Sequence, residues 1–89
     1  SQSYQEALKY FKIAADHGLE ESQMKLAEFY KEGKGVKKNL TEALKYYQLA
    51  AEQGNLEARY NIGYFYFRGF GGLSQSYEKA FKLFKSAAD

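Results

Sequence analysis

The residue types that carry most protein chemistry are scarce in this chain. Histidine occurs once, at His17, and cysteine is absent, so the chain offers neither a thiol nucleophile nor a thiolate metal site. His17 comes one residue before a glycine that is expected to end a helix, and the residue 36 positions later is Gln53. Triad-type catalysis and metal ligation both need further residues grouped around a histidine, and the sequence indicates no such group around His17. The composition therefore argues against an enzyme.

Two short motifs resemble functional signatures, and each has a simpler structural explanation. The segment GKGVKKN at residues 33–39 has the glycines and lysines of a phosphate loop, but it lacks the Gly-Lys-Ser/Thr ending and follows a predicted helix rather than a strand. The tripeptide NLT that begins at Asn39 matches the acceptor pattern for N-glycosylation. Asn39 also aligns with Ser3 and Ser76 in a repeated segment, which favours a helix N-cap. We therefore predict no nucleotide, cofactor or metal.

Charged residues recur along the chain without favouring an anionic partner. The net charge of +2 is close to neutral for 89 residues. Lysines recur in one register at Lys9, Lys45 and Lys82, with Lys12 and Lys85 one turn later, and glutamates recur beside them, at Glu6, Glu42 and Glu78. A solvated helix face of mixed charge explains both series. We expect no nucleic acid as partner, and no membrane insertion, because no apolar run approaches the ~18 residues of a membrane span.

An internal repeat decides where all of these residues lie. Residues 6–35 realign on residues 42–71 after a shift of 36, and part of the pattern recurs 37 residues later. The segment EALKYFKIAADHG returns as EALKYYQLAAEQG and then as EKAFKLFKSAAD, whose last residue is Asp89. A fixed period of roughly 20 to 50 residues is typical of a solenoid, in which each unit buries its apolar face against its neighbours. The third copy is shifted by 37 residues rather than 36, which indicates one inserted residue. We place this residue in the glycine-rich turn after Gly69, because surface turns tolerate insertions.

Apolar spacing in the repeated segments predicts amphipathic α-helices. In the first segment type, Leu8, Phe11 and Ala15 have the spacing of one helix face. The second segment type predicts helices over residues 20–32 and 56–68. Their predicted core positions are Ser22, Leu26, Phe29, Tyr30, Ala58, Ile62, Phe65 and Tyr66. The predicted fold class is all-α, an α/α superhelical solenoid of antiparallel helix pairs with about five helices.

Capping residues mark the predicted helix ends. The predicted N-caps are Ser3 and Asn39, each in a capping box with the glutamate three residues later, and Ser76. Gly18 and Gly54 are predicted to end the first helix type, because glycine adopts the left-handed conformation of a helix C-cap.

Small residues occupy one stripe of the helices, where we predict that backbones approach closely. The predicted repeat-packing positions are Ala14, Ala15, Ala27, Ala50, Ala51, Gly63, Ala87 and Ala88.

The same small, aromatic and turn residues carry a family resemblance. In the first unit they are Leu26, Tyr30, Gly33, Gly35, Val36, Glu42, Ala43, Tyr47, Ala50, Ala51 and Gly54. In the second they are Ala58, Tyr60, Ile62, Gly63, Tyr66, Gly69, Gly71, Lys79, Ala80, Phe84, Ala87 and Ala88. This pattern resembles the Sel1-like repeat, a relative of the tetratricopeptide repeat with a longer period, although Ser22, Met24 and the added residue near Gly72 depart from it. The resemblance implies an α/α superhelix that serves as a scaffold or adaptor, with the second helix type lining its concave face and no chemistry of its own.

The repeat divides the chain into a half repeat at residues 1–19 and two repeats at 20–55 and 56–89. The chain opens at a cap that leads directly into the second helix of a repeat, and it stops before the glycine that closes the other copies. We therefore expect a piece of a longer array with an apolar face at each end. Such a piece is expected to be weakly stable or to self-associate through those ends.

One stripe of the second helix type lies opposite the predicted core and differs most between the units. It reads Glu21, Lys25, Glu28 and Glu32 in the first unit, and Glu57, Asn61, Tyr64 and Arg68 in the second. Tyrosine and arginine are enriched at binding hot spots, and asparagine can bond an extended peptide backbone. The residues predicted to bind a partner are Lys25, Glu28, Glu32, Asn61, Tyr64 and Arg68. The alternative is an ordinary solvated face.

Four consecutive aromatic residues run from Tyr64 to Phe67. Their side chains span more than half of the circumference of a helix, so some of them must lie outside the core. One interpretation is that Phe67 and Tyr60 pack on the third copy of the first helix or on a further repeat. The other is that they contact an apolar side chain of a partner.

These patterns favour a non-enzymatic interaction module that binds another protein or a peptide. The alternative is a structural spacer whose parent protein carries its function in other domains. Some cysteine-rich relatives of the repeat have been described as β-lactam hydrolases, but this chain lacks cysteine and a Ser-His-acid set. The absence of cysteine is compatible with a cytoplasmic protein, and localisation stays unassigned.

Overall fold

The structure, a computed structural model, describes residues 2–88, with the side chain of Gln2 left aside; Ser1 and Asp89, the outermost residues of the predicted units, lie outside the described residues. Its five helices are α1 Gln2–Asp16, α2 Glu20–Glu32, α3 Leu40–Glu52, α4 Leu56–Arg68 and α5 Tyr77–Ala88. Each helix packs against the next one along the chain, and the short connections make neighbours antiparallel. The predicted all-α fold of five helices in antiparallel pairs is confirmed, as are both ends of α2 and α4.

The core continues from each unit into the next. Tyr47 of α3 meets Phe65 of α4 edge-on, with ring centroids 5.8 Å apart. Phe11 of α1 meets Phe29 of α2 in the same way at 5.7 Å. The predicted core positions are buried, except that Tyr66 is half-buried. Because these aromatic pairs join different copies of the sequence, burial stabilises the chain as one body rather than as separate units.

The small residues allow close helix contact to different degrees. Ala27 and Ala50 are fully buried and Ala15 is 5% exposed, whereas Ala14, Ala51 and Ala87 are half-buried and Ala88 is exposed. At Gly63, α4 approaches α5 closely. A Cβ atom there would lie 2.9 Å from the Phe84 ring and 3.2 Å from the carbonyl oxygen of Ala80. A side chain at position 63 would therefore require the Phe84 ring or α5 to shift.

Two of the predicted N-caps form. Asn39 Oδ1 accepts from the Glu42 amide at 3.0 Å, and Ser76 Oγ accepts from the Lys79 amide at 3.2 Å. The other half of the predicted capping box at Asn39 is wrong, because the Asn39 N–H donates to the carbonyl oxygen of Tyr30 at 2.9 Å. The start of α3 is thus tied to the end of α2.

The predicted N-cap at Ser3 is wrong. Ser3 lies inside α1, which already begins at Gln2. The first turn is held on α2 by Tyr4, whose ring lies 5.8 Å from that of Phe29. At the other end of the first helix type, Gly18 and Gly54 have φ of 85° and 95°, which confirms the predicted left-handed glycines.

The starts of α2 and α4 differ, and sequence analysis missed this. Asn55 caps α4: its Oδ1 accepts from the Ala58 amide at 2.7 Å, and its Nδ2 donates to Glu20 of α2 at 2.8 Å. Leu19 holds the same position before α2 with the same backbone conformation, but it has no side-chain cap. Of these two helices, only α4 therefore has a side-chain N-cap.

The turn with the extra residue keeps the geometry of its shorter equivalent. Gly33 and Gly69 end α2 and α4 with φ of 74° and 72°. The Ser76 amide donates to the carbonyl oxygen of Tyr66 at 2.9 Å, as the equivalent pair does in the first unit. The longer turn includes Gly72 at φ 90°, where a Cβ would meet nothing within 4 Å. The insertion is therefore absorbed in open space.

Candidate functional site

The residues predicted to bind a partner lie on the sides of α2 and α4 that turn away from the core. Lys25, Glu32, Tyr64 and Arg68 are exposed, and Glu28 and Asn61 are half-buried. We call these six residues the α2/α4 face. The outer lysines of α1, α3 and α5 are exposed as well, on helices that contribute nothing to this surface.

Lys31, which the sequence analysis did not select, joins the two halves of the α2/α4 face. Its Nζ lies 3.5 Å from Asn61 Oδ1 and 5.8 Å from the centroid of the Tyr47 ring. Asn61 is held in turn by its own helix, because its Nδ2 donates to the carbonyl oxygen of Glu57 at 2.8 Å. The periodicity of a single helix could not identify Lys31, since the rotation of α2 relative to α4 decides which side chain bridges them.

Arg68 and Tyr64 hold each other in one arrangement. Arg68 Nη1 donates to the Tyr64 hydroxyl at 2.9 Å. The guanidinium carbon also lies 5.0 Å from the ring centroid of Phe70 and 5.9 Å from that of Tyr64. No carboxylate in residues 2–88 pairs with Arg68. The cation is therefore positioned by aromatic rings without being neutralised.

Further aromatic residues extend from this pair toward α5. Phe67 stacks beside Tyr64 at 6.4 Å and packs on Tyr77 of α5 at 5.2 Å. Tyr60 packs on Phe84 of α5 at 5.1 Å. The prediction that Phe67 and Tyr60 pack on the third copy of the first helix is confirmed, yet they are still 36% and 54% exposed. We call Tyr64, Phe67, Phe70 and Tyr77 the aromatic patch.

In the first unit, charged residues replace three members of the aromatic patch: Glu28, Lys31 and Lys34 stand at the positions of Tyr64, Phe67 and Phe70. Lys34 Nζ lies 3.0 Å from Glu32 Oε1, the one ion pair in the part of the chain that the structure describes. The hydrogen bond to Glu32 and the charge of Glu32 raise the pKa of Lys34. Both groups are exposed, so the pair is screened by water and adds little to stability.

Tyr47 lies beneath the contact between Lys31 and Asn61. Its side chain is fully buried, and its hydroxyl has no hydrogen-bond partner among the described residues. Burial raises the pKa of Tyr47 well above its usual value, and the charges of Glu28, Glu57 and Glu32 raise it further. The hydroxyl is therefore neutral at physiological pH.

The remaining candidates for chemistry form no site. His17 Nδ1 lies 2.9 Å from the carbonyl oxygen of Ile13 at the end of α1. Within residues 2–88, no three side chains of His, Asp or Glu are grouped to hold a metal ion. None of the described helices has the length and apolarity that would be needed to cross a membrane.

The repeat is also recognised by comparison with known proteins. The model of the Sel1 repeat matches residues 1–19, 20–55 and 56–89. The chain belongs to the Sel1 repeat family. A search of curated proteins found no match.

Solved structures resemble almost all of this Sel1 repeat chain. The crystal structure of a Sel1 repeat protein from Oxalobacter formigenes is similar with a TM-score of 0.86 and 33% identity over 94% of this chain. A protective antigen of uropathogenic Escherichia coli strains, which displays an SLR fold, is similar with a TM-score of 0.91 and 38% identity over 96%. These likenesses confirm the predicted solenoid fold. The chain spans 34% of the first of these proteins and 18% of the second.

Proposed function

We propose that this Sel1 repeat domain is a non-catalytic interaction module that binds a segment of another protein on the α2/α4 face. The observation that carries the proposal is the Tyr64–Arg68 pair. Its side chains are exposed and fixed by a 2.9 Å hydrogen bond, and the cation lacks a carboxylate partner among the described residues. Sel1 repeats generally mediate protein interactions and are typically non-catalytic.

The preorganised arginine supports binding for an energetic reason. A free arginine side chain loses rotamer freedom when a partner immobilises it, at about 0.5–1.5 kcal/mol. Arg68 already lies against Phe70, at 5.0 Å from its ring centroid, so less of that freedom is lost on binding. A carboxylate or carbonyl of the partner can then accept a charge-assisted hydrogen bond from the guanidinium edge that Tyr64 leaves open.

The aromatic patch supplies apolar area beside that cation. Tyr64 and Phe67 present partly exposed rings, and Tyr77 is 55% exposed. Tyrosine, arginine and other large aromatic residues are the side chains that most often dominate binding energy when a partner excludes water from them. The fitting partner segment carries an apolar side chain next to an acidic or carbonyl group.

Site-specific crosslinking within the parent protein tests the proposal. A photoreactive benzoylphenylalanine in place of Phe67, which leaves the Tyr64–Arg68 pair unchanged, should crosslink to the partner, whereas the same residue in place of Lys45 on the outer surface of α3 should not. Arg68→Ala should weaken capture of the crosslinked partner about tenfold, and its thermal unfolding should stay close to that of the unmodified protein. Crosslinks confined to position 45 would refute the assignment of the face.

The spacer alternative predicts a different result. Removal of residues 1–89 from the parent, with a helical linker of matched length in their place, would then leave partner capture unchanged. Loss of capture together with crosslinks from position 67 supports the binding role.

A further inference from the structure

An open groove lies between α3 and α5 on the core side of α4. Both helices pack on α4, and the groove between them has a volume of about 510 Å³. Its lining includes Gln48, Glu52, Arg59, Ile62, Tyr66 and Leu83. We call it the α3/α5 groove. Tyr66 is two residues from both Tyr64 and Arg68, which places it on roughly the opposite side of α4, so the groove is separate from the α2/α4 face.

One side chain at this groove differs between the two units. In the first unit, Tyr46 of α3 stacks on Tyr30 of α2 with ring centroids 6.0 Å apart, and the two side chains are only 4% and 8% exposed. In the second unit, Tyr66 matches Tyr30, but Leu83 stands at the position of Tyr46. Tyr66 and Leu83 are both half-buried. The second unit thus lacks the ring that covers the equivalent tyrosine of the first.

The first unit also indicates which kind of group fits against such a tyrosine. Two packed aromatic rings stabilise each other beyond the burial of their area, and leucine cannot make that contact. The Lys79 ammonium group lies 5.5 Å from the centroid of the Tyr66 ring, but Lys79 is exposed and is not among the residues that line the groove. An aromatic side chain from outside the chain can therefore take the role that Tyr46 has in the first unit.

The charged side chains at the groove favour a neutral ligand that can form hydrogen bonds. Glu52 of α3 and Arg59 of α4 line it with opposite charges, and the one ion pair among residues 2–88 involves neither of them. Arg59 Nη1 donates to Ser86 Oγ of α5 at 3.0 Å, which holds the guanidinium at the groove. A ligand with a net charge would be repelled by one of the two groups. A peptide backbone, in contrast, offers an N–H to a carboxylate and a C=O to a guanidinium.

We propose that the α3/α5 groove binds an aromatic side chain, tyrosine or phenylalanine, of a partner protein segment. The ring packs on Tyr66, and the peptide groups on either side of it form hydrogen bonds with Glu52 and Arg59. This site goes beyond the proposed function, because it lies on the other side of α4 and shares no residue with the α2/α4 face.

Two short peptides serve as defined probes of the groove. Ac-Ala-Ala-Tyr-Ala-Ala-NH2 and the same peptide with leucine in place of tyrosine are titrated into the protein while its chemical shifts are followed by NMR. The expected result is saturable shifts at Gln48, Arg59, Tyr66 and Leu83 with the tyrosine peptide, and about fivefold weaker binding of the leucine peptide. Equal affinities of the two peptides, or shifts confined to the aromatic patch, would overturn the proposal.

Three variants test the role of the missing ring, and thermal unfolding verifies that each one folds. Leu83→Tyr should fill the groove as Tyr46 does in the first unit, so that the tyrosine peptide no longer gives saturable shifts. Tyr66→Leu should weaken binding about fivefold. Tyr60→Leu changes an exposed ring of α4 outside the groove; it is the matched control and should leave binding unchanged. Undiminished binding to Leu83→Tyr would contradict the proposal even if Tyr66→Leu folds poorly.

Two further measurements distinguish the occupant. Free tyrosine carries a carboxylate for Arg59 and an ammonium group for Glu52, and it should bind more weakly than the peptide. Equal or tighter binding of free tyrosine would indicate a site for an amino acid and would overturn the assignment to a protein segment. Shifts at the same residues when the protein alone is diluted would assign the groove to a second copy of the chain, and would overturn it as well.

Discussion

The turns that follow α2 and α4 share a backbone and differ in surface chemistry. After α2, Glu32 and Lys34 form an exposed ion pair at 3.0 Å. At the same two positions after α4, Arg68 lies over the ring of Phe70 at 5.0 Å. The two pairs occupy equivalent positions in the repeat. The first is a solvated ion pair, whereas the second places an arginine beside an aromatic ring.

This difference separates what the repeat needs from what each copy adds. Gly33 and Gly69 have the same left-handed conformation, and each turn closes with the same backbone hydrogen bond to the preceding helix. The backbone therefore imposes no requirement for charge or for aromatic rings at these positions. A surface cluster that the backbone does not require is a better candidate for binding than one that recurs in every copy.

The substitution with the largest expected effect on stability, Phe65→Ala, tests whether the two units share one core. Phe65 of α4 is fully buried and meets Tyr47 of the preceding unit. Phe65→Ala should lower the free energy of unfolding by about 3–5 kcal/mol through lost burial and the cavity left behind. Urea unfolding followed by far-UV circular dichroism measures this.

The matched control for that change is Phe67→Ala, two residues along the same helix on a partly exposed ring. It should cost clearly less than Phe65→Ala, because much of the Phe67 side chain already contacts water. Equal losses for the two variants would mean that the aromatic patch is part of the core and not a surface for a partner.

Much of the fold could be predicted because the repeat multiplies weak local signals. The two copies of the second helix type predict the same helix bounds, the same glycine ends and the same core positions. Each copy therefore supports the assignment made from the other. The prediction of an N-cap at Ser3 was wrong because it relied on the repeat register alone, whereas α1 already begins at Gln2. Asn55 was missed because its equivalent, Leu19, breaks the pattern.

The second prediction compares a close helix contact in each unit. Position 27 is a fully buried alanine, and position 63 is glycine. Gly63→Ala places a methyl group 2.9 Å from the Phe84 ring, and this overpacking, typically about 1–3 kcal/mol, should outweigh the gain of about 1 kcal/mol in helix propensity.

The reciprocal change should be unfavourable as well. Ala27→Gly loses helix propensity, about 1 kcal/mol, together with buried methyl contacts. Thermal and urea unfolding of both variants measure the effects. A more stable Gly63→Ala protein would show that α4 and α5 can separate enough to accept a methyl group, and that their close contact is not fixed.

The third prediction concerns the buried hydroxyl, which only the middle copy of the first helix type has. The pKa of Tyr47 is raised in the folded state, so above the ordinary tyrosine value of about 10 the unfolded chain loses its proton first. Stability should therefore be unaffected by this group below about pH 10 and should fall above it, by at most about 1.4 kcal/mol per pH unit.

Tyr47→Phe isolates that contribution. The variant should fold, since phenylalanine occupies this register in the other copies, and its melting temperature should fall less steeply between about pH 10 and about pH 11 than that of the unmodified protein. At neutral pH it should be as stable or slightly more stable, because an unpartnered hydroxyl has been removed. A clear loss of stability at neutral pH would mean that the hydroxyl is hydrogen-bonded in solution.

The α2/α4 face was less predictable than the fold, for a reason of geometry. Helical periodicity identified side chains that leave the core, and the exposed positions of Tyr64 and Arg68 agree with it. It could not specify Lys31 or Phe70, because these join the surface only through the rotation of α2 against α4 and through the turn after α4. Contacts between elements require the packed structure.

The substitutions with the smallest expected effects change the residues that precede α2 and α4, so that the starts of the two helices become more alike. Leu19 and Asn55 precede α2 and α4 with almost identical backbone angles, φ −73° and ψ 115° against φ −71° and ψ 116°. Asn55→Ala should lower stability by about 1 kcal/mol, because it removes the N-cap of α4 and a hydrogen bond to Glu20.

Leu19→Asn should place its side-chain oxygen near the Ser22 amide and raise stability by about 0.5 kcal/mol. Urea unfolding of the single and double variants measures both effects, which should add only partly, because Asn55 already bonds to the first residue of α2. If Leu19→Asn destabilises the protein, the exposed leucine contributes packing that outweighs a cap, and the starts of the two helices are not equivalent.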